Sequence, residues 1–332
     1  MPDQYDVIGI GNAIVDVLCK TEDSFIEKHD LNKGNMTLIE AEQAEALYAD
    51  MGPAIEMSGG SAANTIAALS SMGGNCGFIG KVADDQLGNV FRHDIKAVGA
   101  DFSTTALQES LPTARCLILV TPDAERTMCT FLGASVWISE SDIDRQKIAS
   151  GKVTYLEGYL FDKPKAKKAF LKASQIAHEA GRKVALSLSD AFCVNRHRDE
   201  FLELVEGHVD ILFANEEEIC ALYQEKDINL ALNQIQGKCE IVAVTQGAKG
   251  AVIVTKDNKI EVPAAHVDNV VDTTGAGDLF AAGFLYGFTQ GEPLETCGQY
   301  GCRAAAAVIQ HMGARVQNDL KDIIKEGNVV YG

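Results

Sequence analysis

Basic residues are in short supply: 29 lysines and arginines face 47 aspartates and glutamates, leaving a net charge of −18 over 332 residues. Nucleic acids and anionic membranes both need a basic footprint, so neither is expected as a partner. A small phosphorylated ligand stays open, because helix N-termini, a few local cations and a bound metal suffice for one anion. The nine cysteines include no CxxC pair and the seven histidines no HExxH. That removes the common zinc spacings and a disulfide framework, and the cysteines read as buried thiols of a reducing compartment. Long hydrophobic runs are missing as well. The stretch MPDQYDVIGIGNAIVDVLCK has no basic leader, and its apolar run is interrupted by Asn12 and Asp16. It reads neither as a signal peptide nor as a spanning helix, and the cytoplasm is the expected location. No internal repeat, low-complexity tract or proline-rich linker divides the chain.

What is present is an ordinary globular composition, 46% hydrophobic and 23% charged, with enough apolar residues for a sizeable core. Strands are expected at 7–10, 77–79, 117–121, 153–157, 184–187, 211–214, 241–245 and 251–255. Helical patterns fall at 61–72, 165–180, 199–205, 230–236, 277–288 and 294–311. Strands alternating with helices predict βαβ units and a three-layer α/β/α fold, with a mainly parallel central sheet covered on both faces. Two stretches, about 21–57 and 103–137, break the alternation. The second reads as a hairpin turning at 121–124. Together they predict a small β lid on a single domain spanning 1–332.

Several motifs carry chemistry. GIGNAIVD begins like a dinucleotide fingerprint, but the third glycine position is Ile14 and no helix clearly starts there, which weakens an NAD-dependent oxidoreductase. Asp16, inside IVDVL, is either a turn acid or a holder of ligand hydroxyls. The nearest approach to a P-loop, GGNCGFIGKV, has Asn75 where glycine is required and Val82 where Ser or Thr belongs. In SGGSAANTIAALSSMG, Gly59 and Gly60 allow close backbone approach, Ser61 can cap the following helix, and Asn64 sits in its first turn. This is either a packing turn or a polar-ligand contact. In ANEEE, Asn215 and Glu218 share a helix face at a strand end. They either begin an acidic helix or organise water around Mg²⁺. In DTTGAGDLFAAGF, Gly275, Ala276 and Gly277 leave backbone N–H groups unshielded at a helix N-terminus, with Asp278 beside them. A helix cap explains this, and so does a base next to an anion site.

These stretches resemble the ribokinase-like, PfkB-type carbohydrate and nucleoside kinases. DTTGAGDLFAAGF is similar to the family's C-terminal signature, SGGSAANTIAALSSMG followed by FIGKVADDQLG to its N-terminal one, and NEEE to its Asn-x-x-Glu element. GNAIVD, RTMCTFLGAS, YLEGYLF, LSLSDAF, VDILFANEEE and VTQG resemble segments of the adenosine kinase branch. The resemblance implies transfer of the γ-phosphate of ATP, with Mg²⁺, to a nucleoside 5′-hydroxyl. Adenosine is the first candidate, with guanosine, inosine, ribose or fructose as alternatives. A non-catalytic nucleoside or nucleotide sensor is the rival from another class. By position, Asp278 becomes the base and 275–277 the anion hole, and Arg126 reaches the transferring phosphate. Asn12, Asp16, Gly60, Ser61 and Asn64 hold the sugar, while Asn35, Thr37, Phe131 and Leu132 lie near the base. Asn215 and Glu218 organise Mg²⁺, and Thr245 and Gly247 line the ATP site. Asp272 and Thr274 lie where some members hold K⁺. A monomer or a homodimer is expected.

Overall fold

The computed structural model describes residues 4–108, 111–123, 125–316 and 320–326. Its strands are β1 (Tyr5–Ile10), β2 (Ile14–Lys20), β3 (Met36–Leu38), β4 (Ala54–Gly59), β5 (Cys76–Ile79), β6 (Asp101–Phe102) and β7 (Ala114–Val120). They continue with β8 (Arg126–Phe131), β9 (Gly151–Glu157), β10 (Lys183–Ser187), β11 (Ile211–Asn215), β12 (Ile241–Thr245), β13 (Ala251–Thr255) and β14 (Lys259–Val262). Nine of them form one sheet in the order β14-β13-β12-β11-β10-β9-β1-β5-β6. Pairing is parallel from β6 through β12 and antiparallel only for β13 and β14.

Both faces of this sheet are apolar, as its strand sequences require. Alternate residues enter two separate cores. Tyr155, Phe213, Ala243 and Ile253 pack on one side with the helices Ser61–Ser71, Ala276–Thr289 and Leu294–Val308. Leu156, Leu212, Val242 and Val254 pack on the other with Pro164–Glu179, Arg198–His208 and Glu216–Tyr223. The predicted three layers are thus present. The chain winds outward from β1 through β5 to β6 in one direction and from β9 through β12 in the other. The carboxyl ends of β1 and β9 therefore flank a topological switch point, where open α/β sheets leave a crevice.

The remaining five strands form a second sheet, β3-β8-β7-β2-β4. The hairpin is present as β7 and β8, closed by Thr121 N–H donating to the Glu125 carbonyl at 3.0 Å. Ala124 of its turn lies outside the described residues. The segment 14–20 is not the tail of the first strand. It leaves the main sheet after Gly11 and crosses to the second, pairing with β7 and β4. Period-two burial is the reason: Val15, Val17 and Cys19 are buried, while Ile14, Asp16 and Leu18 turn to the opposite face. Among the described residues, no helix is long and apolar enough to cross a membrane.

Phe213 on β11 meets Phe284 edge to face at 5.4 Å, with Phe280 beside both. This cluster seats the helix Ala276–Thr289 on the sheet. Replacing the fully buried Phe284 by alanine is expected to cost about 3–5 kcal/mol, read as a lower midpoint in urea unfolding.

Candidate active site

The helix Ala276–Thr289 starts abruptly. Its N-cap, Gly275, has φ +79°, and a Cβ there would lie 2.8 Å from that of Ala314. Only glycine enters the helix this way. No side chain caps this end. Of the three residues expected to form an anion hole, Ala276 has its N–H engaged by the Thr273 carbonyl at 3.2 Å.

Asp278, in the first turn, faces a second helix N-terminus. Ser61 Oγ donates to its Oδ1 at 2.6 Å and Asn64 Nδ2 to its Oδ2 at 3.1 Å. Ser61, expected to cap its own helix, does not. Gly60 takes the cap position at φ +99°, which frees the Ser61 hydroxyl for Asp278. A Cβ on Gly60 would collide with the Asn12 carbonyl. Thr65 Oγ1 reaches the Asp278 carbonyl at 3.2 Å and ties the two helices together. Burial pushes the Asp278 carboxyl up to about 6, against the hydrogen bonds from Ser61 and Asn64 and the charge of Arg315.

Asp16, on the cleft face of β2, is also pushed up to about 6 by burial. Arg315 and Arg126 draw it down and Asp278 repels it. Beside it, at the switch point, Glu157 ends β9. It accepts from Asn12 Nδ2 at 2.6 Å, from Asn12 N at 3.3 Å and from Ala62 N at 2.8 Å. Burial raises Glu157 to about 7 in spite of these donors. Asn12 Oδ1 is buried without a hydrogen-bond partner, an acceptor suited to a ligand hydroxyl.

These groups line one cleft of about 1620 Å³. Asn12, Asp16, Gly60, Ser61, Asn64, Leu132, Asn215, Glu218, Thr245, Gly247, Thr274 and the run from Gly275 to Asp278 all contribute. Thr37 does too, whereas Asn35 stands outside the wall, with its Nδ2 donating to the Lys33 carbonyl. Phe131, expected beside the ligand, is turned away from the cleft. Its neighbours Thr130 and Leu132 line the cleft, while its ring packs in the core beneath the Arg115 guanidinium. Strand alternation decides this, since Met128 and Thr130 already take the cleft face.

Arg126 contacts the Asp272 carboxylate and reaches Thr274 Oγ1 at 3.2 Å. The same carboxylate accepts from Thr274 N at 3.0 Å and Gly313 N at 2.8 Å. The pair expected to hold a monovalent cation is thus occupied by a guanidinium and two amides. Asn215 and Glu218 form a reciprocal cap. Glu218 N donates to Asn215 Oδ1 at 2.8 Å, while Asn215 N and Nδ2 donate to Glu218 at 2.9 and 2.7 Å. Among the described residues, no group of three or more His, Cys, Asp or Glu is placed to hold a metal directly.

Two residues escape a reading of the sequence alone. Glu157 has a signal, an acid closing an apolar strand. Arg315 has none, being 251 positions from the Asn64 it contacts.

A family model described as pfkB family carbohydrate kinase matches residues 53–321. The crystal structure of a probable sugar kinase protein from Rhizobium etli superposes with a TM-score of 0.90 at 49% identity, covering 98% of both chains. That of adenosine kinase from Sinorhizobium meliloti gives the same score and identity, over 98% of this chain and 100% of the other. Adenosine kinase from Saccharomyces cerevisiae is 27% identical over 329 residues, 92% of this chain and 95% of the relative.

Gly275→Ala is expected to lower stability by about 1–3 kcal/mol, from the positive φ and the contact with Ala314. At Gly277, inside the helix, an added methyl would meet no atom within 4 Å, so alanine there is expected to raise stability by about 0.5–1 kcal/mol, read as a slightly higher unfolding midpoint.

Proposed function

The chain belongs to the pfkB family of carbohydrate kinases, phosphotransferases that use ATP on a hydroxyl acceptor, and we propose that its acceptor is a nucleoside, adenosine first, phosphorylated on the 5′-hydroxyl. The observation that carries this reading is the Asp278 carboxylate, gripped by Ser61 and Asn64 at an uncapped helix N-terminus on the cleft floor. Its pKa of about 6 leaves it mostly ionised at neutral pH yet close enough to accept a proton well. As the acceptor oxygen bonds to the γ-phosphorus, its proton passes to Asp278 and the bond to the β-phosphate oxygen breaks, releasing ADP. The helix N-terminus stabilises the charge on the transferring group.

The choice of a nucleoside rests on the wall beyond Asp16. Ile14, Leu38, Cys116, Ile118, Met128 and Leu132 line the cleft on the side of the second sheet. A base has flat apolar faces to bury there. Roughly 100 Å² removed from water is worth about 2.5 kcal/mol, whereas a free sugar would set hydroxyls against hydrocarbon. Asn12 Oδ1, Asp16 and Asn64 are suited to the ribose hydroxyls. Thr245 and Gly247 lie on the far side, where the nucleotide would bind. Mg²⁺ on the nucleotide's phosphates would neutralise charge, and Asn215 and Glu218 are the groups that would meet its waters. The second sheet acts as a lid that excludes water from the reacting groups. The whole chain works as one catalytic unit.

Incubation with Mg-ATP and adenosine, guanosine, inosine, ribose or fructose tests the assignment through ADP release and product identification. AMP formation with adenosine is expected. Turnover with a free sugar alone would overturn the nucleoside reading. Asp278→Asn is expected to lower kcat on the order of 10²–10⁴-fold while unfolding and nucleotide binding stay as in the wild type. Near-normal turnover would remove Asp278 from the base role.

A further inference from the structure

We propose that Arg315 is the positioning residue of the proton-accepting carboxylate: it holds the Asn64 amide by its oxygen, so that the amide nitrogen faces Asp278. The proposal rests on the reading of Asp278 as the base. Arg315 Nε donates to Asn64 Oδ1 at 3.0 Å, and its Nη2 donates to the Ser58 carbonyl at 2.9 Å and to Ser58 Oγ at 3.0 Å. Asp94 accepts from Ser58 N at 2.7 Å and from Ser58 Oγ at 2.6 Å. With Oδ1 held by the guanidinium, Nδ2 is the end of the amide left for Asp278. The reverse orientation would set N–H groups against the guanidinium and an oxygen against a carboxylate, losing both bonds. One chain of contacts therefore runs from Asp94 through Ser58, Arg315 and Asn64 to Asp278.

Charge reinforces the geometry. Arg315 is the cation acting on Asp278. The groups sharing that space are Asp16 from β2, Tyr155 and Glu157 from β9, Tyr159 just after it, and Glu218 from the helix Glu216–Tyr223. Arg126 from β8 acts on Asp16, and Asp94 acts on Arg315. Without Arg315, Asp278 loses the cation that opposes the acids around it. Asp278 then resists ionisation, and activity fails at a higher pH as acid is added.

The test is the pH dependence of kcat/KM for the acceptor in the wild type, Arg315→Met, Arg315→Gln and Arg315→Lys. The acid limb is expected to rise by about one pH unit in the methionine and glutamine variants. Their deficit at about pH 6 would then be roughly fivefold larger than at about pH 8, and lysine would restore the wild-type limb. Glutamine keeps an N–H for Asn64 and carries the test if the methionine variant does not fold. A limb unmoved by charge removal, with kcat/KM lowered equally at every pH or not lowered at all, overturns the proposal. Asp278→Asn assayed alongside separates the two failures. If it is inactive while the Arg315 variants keep the wild-type limb, only Arg315's role falls. If it is active, the base assignment falls and this proposal with it.

Discussion

The structure turns on the contact between two helix N-termini. Ser61 and Asn64 begin one helix, and Asp278 lies in the first turn of the other. Two positive helix ends converging on one carboxylate form an electrostatic arrangement that neither helix supplies alone. It exists because each helix enters through a glycine with positive φ, Gly60 and Gly275, and because the aromatic cluster of Phe213, Phe280 and Phe284 seats the second helix on the sheet.

Around that contact the site concentrates buried acids. Asp16, Glu157, Glu218 and Asp278 are all raised, each chiefly by burial. They do different work. Glu157 joins the end of β1 to the start of the helix Ser61–Ser71 across the switch point, using both oxygens on backbone and side-chain N–H groups. Glu218 closes a helix cap. Asp278 alone among them lies in the first turn of a helix that no side chain caps. The second sheet completes the cleft with an apolar wall, and Arg126 reaches from its β8 strand to Asp272, at the start of the glycine turn.

Much of this is legible in the sequence. Apolar strand runs broken by helical periodicity specify a parallel sheet covered on both faces, and small residues before Asp278 specify an unshielded helix end. What the sequence does not carry is orientation and distance. The family resemblance implies Phe131 beside the ligand, but strand alternation sends the ring to the core and leaves Thr130 in the cleft. The run at 14–20 belongs to the second sheet because its period-two pattern is satisfied there. Asp272 and Thr274 are expected near a monovalent cation, and their contact with a guanidinium from a distant hairpin has no local signal. Arg315 leaves no local trace at all, because its meaning lies in partners that only folding brings near.

The most direct test is the protonation of Asp278 itself. Carboxyl carbons of ¹³C-labelled aspartate, titrated by NMR in the wild type and in Asp278→Asn to assign the resonance, report it without turnover. The account predicts a midpoint of about 6 for Asp278. A midpoint near the ordinary aspartate value of roughly 4 would contradict it, since the carboxylate would then be too weak a base for the role its surroundings describe.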